Sequence, residues 1–240
     1  MPDDMRPLLP DQATPSDYLH AVVKGGLSAI PYVGGTASEL FALVLAPPLA
    51  ERRDIWLQQL AEDFDALQRK INGFTVESLA ANPEFVSATL KASQAALKTH
   101  RREKLDALRN AVVNVAAGKA PNEDKQAIFL NLVDQFTPLH LRFLQFQQQA
   151  GKHLTAYLKA HPGMLSPHGG PPIFAVVQSH FPELTAEPPL IHSIFRDLHA
   201  TGLSGVEGAM QAPPKWERWT THLGDEFLRF ITAPELDKEP

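Results

Sequence analysis

Apolar residues recur at three-to-four spacing along most of this chain, and that period selects helices. Ile55, Trp56, Leu60, Phe64, Leu67 and Ile71 make one such run, with acidic and basic residues between them, the pattern of a helix with one buried face. The start signals agree. Asn82-Pro83 opens a helix through Phe85, Val86, Leu90 and Leu97, and another from Arg102 carries Leu105, Leu108, Val112 and Val115 to Gly118. Asn122 caps the helix of Ile128, Phe129, Leu132, Val133 and Phe136, and Thr137-Pro138 starts the next, with Leu139, Leu141, Phe143, Leu144 and Phe146. A short polar side chain can accept from the unpaired amides of a first turn, and proline there has no amide to leave unpaired. The glutamines at 147 to 149 that follow are expected to face water. The fold class that results is all-α, a multi-helix bundle.

Residues 1–15 hold four prolines, three aspartates and one arginine. They read as a disordered arm, in the reverse of the order of a secretory signal. Residues 16–160 form the expected bundle. Between 161 and 172 the composition turns to Pro, Gly, Ser and His, which marks a linker and a subdomain boundary. Residues 173–234 offer a helix from Ile173 to His180, a second from Pro188 to Thr201 ended by Gly202, an extended piece near Trp216 to Thr220, and a last helix through Phe230. That order predicts a small winged-helix-like subdomain, with 235–240 as a tail.

Composition excludes several functions. Hydrophobic residues make up 44% and charged residues 20%, enough apolar surface for a packed core. With no cysteine, neither a disulfide nor a thiolate nucleophile nor a cysteine zinc site can form, and a cytoplasmic setting is expected. A net charge of −5 disfavours nucleic acid as a partner, because no global positive field draws the chain to phosphate.

From Leu27 to Ala50 the only charged residue is Glu39. Gly34-Gly35 is expected to turn the chain, Thr36-Ala37-Ser38-Glu39 has the form of a capping box, and an apolar helix follows to Ala46, with a new helix starting at Pro47-Pro48. The breaks leave two segments shorter than the ~20 residues a spanning helix needs. Two readings stay open: a buried helical hairpin, or conditional membrane insertion through Leu40, Phe41, Leu43, Val44 and Leu45, with Arg52-Arg53 meeting headgroups. The second basic candidate is Lys98, Arg101, Arg102 and Lys104, which could grip phosphate at a helix junction or form an ordinary solvated face.

Catalytic patterns are missing. Gly202-Leu203-Ser204-Gly205-Val206 breaks the spacing of a hydrolase elbow, and the glycine pairs 25/26 and 34/35 do not make a phosphate loop. His192 and His199, seven apart, share a helix face but lack a third ligand at characteristic spacing. Glu62, Asp63 and Asp65 lie on a polar helix face beside Arg69 and Lys70. The expectation is a non-enzyme with neither cofactor nor metal.

Two stretches carry a resemblance. The segment 131–144, Asn-Leu-Val-Asp-Gln-Phe-Thr-Pro-Leu-His-Leu-Arg-Phe-Leu, and the tail 219–231, Trp-Thr-Thr-His-Leu-Gly-Asp-Glu-Phe-Leu-Arg-Phe-Ile, resemble bacterial abortive-infection alpha proteins. Together they cover about a tenth of the chain. The resemblance implies a phage-defence protein acting through a protein partner; the double-glycine hairpin and the histidine-rich linker have no match in that family, so conditional membrane insertion is an expectation from the hairpin itself, with a location in the cytoplasm or peripheral to the inner membrane. A homo-oligomer is compatible with it, and no functional residue carries over. The alternative expectation is a winged-helix regulator whose helical domain senses a partner.

Overall fold

The computed structural model describes residues 36–71, 75–162, 173–208 and 217–234, with the side chains of 36–48, 76 and 77 left out. Ten α-helices run in order: α1 (Thr36–Lys70), α2 (Val76–Ala80), α3 (Pro83–Leu97), α4 (Arg102–Ala116), α5 (Glu123–Gln135), α6 (Pro138–Gln148), α7 (Ala150–Ala160), α8 (Ile173–His180), α9 (Pro188–Ala200) and α10 (His222–Phe230). A 3₁₀ turn, Pro182–Leu184, precedes α9. The chain is all-α among the described residues; the one β contact is an isolated antiparallel bridge, Ser204 to Thr220.

Local chemistry sets most helix starts. Asn82 accepts from the amides of Glu84 at 3.0 Å and Phe85 at 3.4 Å, Asn122 from Lys125 at 3.0 Å, and Thr221 from Gly224 at 3.0 Å. Each satisfies a first-turn donor that has no partner within the helix. Gly118 and Gly202 follow α4 and α9 at φ +66° and +75°, the left-handed conformation that glycine enters without a Cβ clash.

The chain divides into two compact units, residues 1–51 and 52–240. Of the first, residues 36–51 are described, and their backbone is helical throughout. The apolar helix expected to end at Ala46 therefore continues through Pro47-Pro48 as part of α1. These prolines leave the carbonyls of Leu43 and Val44 without their usual amide donors, yet the 35-residue length of α1 retains the rest of the ladder. The other arm of the expected hairpin, before residue 36, lies outside the described residues, as do the arm 1–15 and the tail 235–240.

In the second unit, α3 presents Phe85, Ala88, Ala92, Ala95 and Ala96 to the core. This alanine face lets α4 approach closely, and α4 answers with Ala107, Leu108, Ala111, Val112 and Val115. Val86 and Leu90, expected on that face, are exposed, as are Ile55 and Ile128. A helix buries one stripe, and the alanine stripe wins because backbone approach is closest there. Residues 56–67 of α1 close over these helices: Trp56 donates to Ser93 Oγ at 2.9 Å, Phe64 meets Phe85 edge-on at 5.6 Å, and Arg109 pairs with Asp63 at 2.7 Å.

The segment 163–172 is outside the described residues, but it does not separate two cores. Helix α6 packs on α9 and α10, and α10 packs on α4. Phe129 of α5 lies 5.3 Å from Phe227 of α10, and Phe143 of α6 stacks at 4.5 Å on Phe181. The expected C-terminal subdomain thus shares its core with the bundle. The seam also carries a polar lock. Asn114 Nδ2, buried on α4, donates to the carbonyls of Phe230 at 2.9 Å and Thr232 at 2.8 Å, while Asn110 Nδ2 donates to Ile231 O at 3.0 Å.

Candidate functional site

The basic junction forms, and each of its cations has a partner. Lys98 pairs with Asp134 at 2.7 Å, and Lys104 Nζ donates to the Asp134 backbone carbonyl at 2.8 Å. Both lysines thus sit at the C-terminal end of α5, where helix carbonyls lack amide donors and favour cations. Burial holds the Lys104 ammonium below the usual lysine range, against the attraction of Asp134 and with the repulsion of Lys98. Arg101 lies 3.6 Å from Glu103 and Arg102 lies 3.8 Å from Asp106. Four cations meet three carboxylates, one of them Asp106, which Arg109 also approaches at 3.9 Å, so the junction keeps only a small positive excess for phosphate.

Of the apolar run, the structure places Leu40, Phe41, Leu43, Val44 and Leu45 on α1; their side chains lie outside the described residues. No described helix is long and apolar enough to cross a membrane.

The C-terminal histidines are held apart from any shared ligand. His199 Nδ1 donates to Ser204 O at 3.0 Å, whereas His192 stacks on Phe174 with centroids 6.1 Å apart. Among the described residues no three metal-ligating side chains converge. On α9 the exposed residues include Pro189, Leu190, Arg196 and His199. Arg196 is the one permanent cation there, too little charge for phosphate contacts along a groove.

One constellation was not legible beforehand. Thr137 Oγ1 lies 2.8 Å from His140 Nδ1, and the Thr137 amide donates to the same nitrogen at 3.3 Å. Because Nδ1 accepts, Nε2 carries the hydrogen and donates to Asp197 Oδ2 at 3.4 Å. A hydroxyl, an imidazole and a carboxylate in this order have the polarity of a hydrolase relay. Two features oppose that chemistry. The residue after Thr137 is Pro138, which removes the amide that would stabilise an oxyanion directly after the nucleophile, and the Asp197 contact is long. The arrangement caps α6 and ties it to α9.

The densest cluster lies where α6, α7 and α8 meet. The Phe146 ring stacks on His153 at 4.5 Å, lies 5.1 Å from His180 and meets Trp219 edge-on at 5.7 Å. Arg142 stands 5.0 Å above Phe181 and pairs with Glu183 at 3.0 Å. These contacts join residues far apart in sequence, so no local spacing announces them.

Beneath the cluster Gln147, expected to face water, is fully buried. It faces inward because α6 turns it onto the same side as Phe143 and Phe146, and neither polar atom of its carboxamide has a hydrogen-bond partner among the described residues. Leaving such a group unmatched costs about 1–3 kcal/mol. Gln147→Leu is therefore expected to raise thermal stability, by roughly 2–4 °C for each kcal/mol recovered. A fall in Tm on calorimetry would show that the amide holds a partner.

Comparison with family models, with curated proteins and with solved structures gives no match.

Proposed function

We propose that this chain is a non-enzymatic bacterial phage-defence protein of the abortive-infection type, acting by binding a protein partner. One observation carries the reading. The two stretches that resemble abortive-infection alpha proteins, 131–144 and 219–231, pack on each other, since α10 lies against α6 and Phe136 meets Phe227 at 6.3 Å. The resemblance therefore covers one spatial unit rather than two unrelated pieces of sequence. In this proposal the protein works in the cytoplasm or at the inner membrane face. The run Leu40 to Leu45 enters the bilayer only on triggering, in an interfacial or oligomeric form.

Expression in bacteria challenged with a broad phage panel tests this. Reduced plaque formation, or collapse of membrane potential on infection, is the expected result, and unchanged plaquing across the panel overturns it. Leu43→Asp should abolish the effect, because a carboxylate at the centre of a membrane segment costs about 3 kcal/mol.

A second reading has one observation in its favour. The bridge from Ser204 to Thr220, after α9 and before α10, suits a winged-helix-like α8 to α10 module and hence a regulator. The sparse charge of α9 makes a protein surface the better partner for it. Salt-sensitive DNA retardation in a gel would favour the regulator instead.

A further inference from the structure

We propose that His153 and His180 form an acid-responsive latch between α7 and α8, closed while both imidazoles are neutral and opened when they take up protons. The latch is independent of the defence reading. His153 is the fourth residue of α7 and His180 the last of α8, and their rings meet edge-to-face with centroids 4.1 Å apart. Phe146 stacks under half-buried His153, and Phe181 meets His180 edge-on at 4.7 Å, with His180 itself exposed at the end of α8. Neither imidazole hydrogen-bonds to a described residue that could hold it in the charged form.

The surrounding charges act in the same direction. Lys152 lies beside His153 on α7, and Arg142 of α6 faces His180. Glu183, the acid that acts on His180, is already engaged by Arg142 at 3.0 Å. On the 217–219 segment, which joins α7 through Gly151 N–H to Glu217 O at 3.0 Å, Glu217 is exposed and Arg218 is paired with Asp225 at 2.8 Å. A first proton on the pair thus meets a net cationic surround, and a second meets a like charge about 4 Å away.

Burial is the largest cause holding both histidines below their ordinary value; for His153 the next is His180, and for His180 it is Arg142. The sign follows. Groups with depressed basicity bind more protons when the contact is open, so the closed contact is fully stable above about pH 6.5 and is lost as pH falls below that value. Opening would uncover Phe146 and Trp219, both buried at neutral pH, as an apolar surface presented only in acid.

Hydrogen exchange on the full chain, corrected for the intrinsic pH dependence of exchange, tests the latch. Between pH 7.5 and 5.5 the protection of α7 and α8 is expected to fall, by up to about tenfold for each histidine, with α3 and α4 unchanged. In His153→Phe, which keeps a ring on Phe146 but cannot charge, that local loss should shrink to the part that His180 alone supplies. A uniform change across all helices, no change, or the same local loss in the variant overturns the proposal. NMR titration of the wild-type imidazoles serves if the variant does not fold: midpoints below 6.5 for both support the latch, and midpoints at or above 6.5 refute it.

Discussion

Gly224→Ala is expected to destabilise the protein by about 3 kcal/mol or more, lowering Tm by roughly 6–12 °C. A Cβ built on Gly224 would stand 2.2 Å from the carbonyl oxygen of Leu203 and 3.1 Å from its carbon. Both are backbone atoms of a fully buried residue, so nothing flexible can give way. Intrinsic preference points in the opposite direction, since alanine in a helix is better than glycine by about 1 kcal/mol. Sterics wins because the close approach is what the segment is built around: Thr221 N–H donates to Leu203 O at 3.0 Å and Thr221 Oγ1 to Gly202 O at 2.6 Å. Gly118→Ala is the control. Nothing lies within 4 Å of a Cβ there, so the cost is the left-handed backbone alone, about 1–2 kcal/mol. Thermal or denaturant unfolding of the pair decides the matter; a Gly224→Ala protein as stable as wild type would contradict the packing of α10.

Asn114→Ala is expected to cost about 2–4 kcal/mol, since it strands the buried Phe230 carbonyl and the partly buried Thr232 carbonyl at about 1–3 kcal/mol each. The amide nitrogen is shared among the carbonyls of Asn110, Phe230 and Thr232 at 2.8–2.9 Å, with Arg229 at 3.4 Å. Phe230 and Thr232 lie at the end of α10, where carbonyls lack helical donors, whereas Arg229 O also accepts from the Ile231 and Thr232 amides. Asn114→Asp sharpens the test. It keeps the shape but replaces the donor with a carboxylate facing carbonyl oxygens, so it should be worse than alanine. Chemical denaturation measures the loss, and hydrogen exchange should place it in α4 and α10. An Asn114→Asp protein equal in stability to wild type would show that donation is not what binds the two helices.

The helical class was readable because it depends on local features. Spacing of apolar residues, Asn and Thr caps, and proline at first turns mark most starts the structure shows from Asn82 to Thr221, with α4 after Arg101 and α7 after Gln149 as exceptions. The position of Asn114 was also visible in principle, as a lone amide within Val112-Val113-Asn114-Val115. The basic junction was visible as four cations, but not its partial neutralisation, because Asp134 comes from another helix. Neither Thr137 to Asp197 nor His153 to His180 has a local signature.

Two local rules gave the wrong answer for physical reasons. Paired prolines were expected to start a helix, yet α1 runs through Pro47-Pro48, since the rest of a long ladder can absorb two missing bonds. The glutamine run was expected to be solvated by polarity, yet Gln147 follows Phe143 and Phe146 onto the buried side of α6, because a helix rotates as a unit and its apolar residues set the rotation. Val86 and Leu90 lost the core to an alanine stripe in the same way.

Sequence alone therefore determined that this chain is helical and roughly where most of its helices begin, though not the short α2 or α7, because capping and periodicity act within a few residues. Tertiary structure decided which stripe each helix buries, that Lys98 and Lys104 spend their charge on the end of α5, and that two histidines from separate helices share one surface. Those outcomes depend on long-range packing, in which a partner's shape and charge arrive from distant parts of the chain.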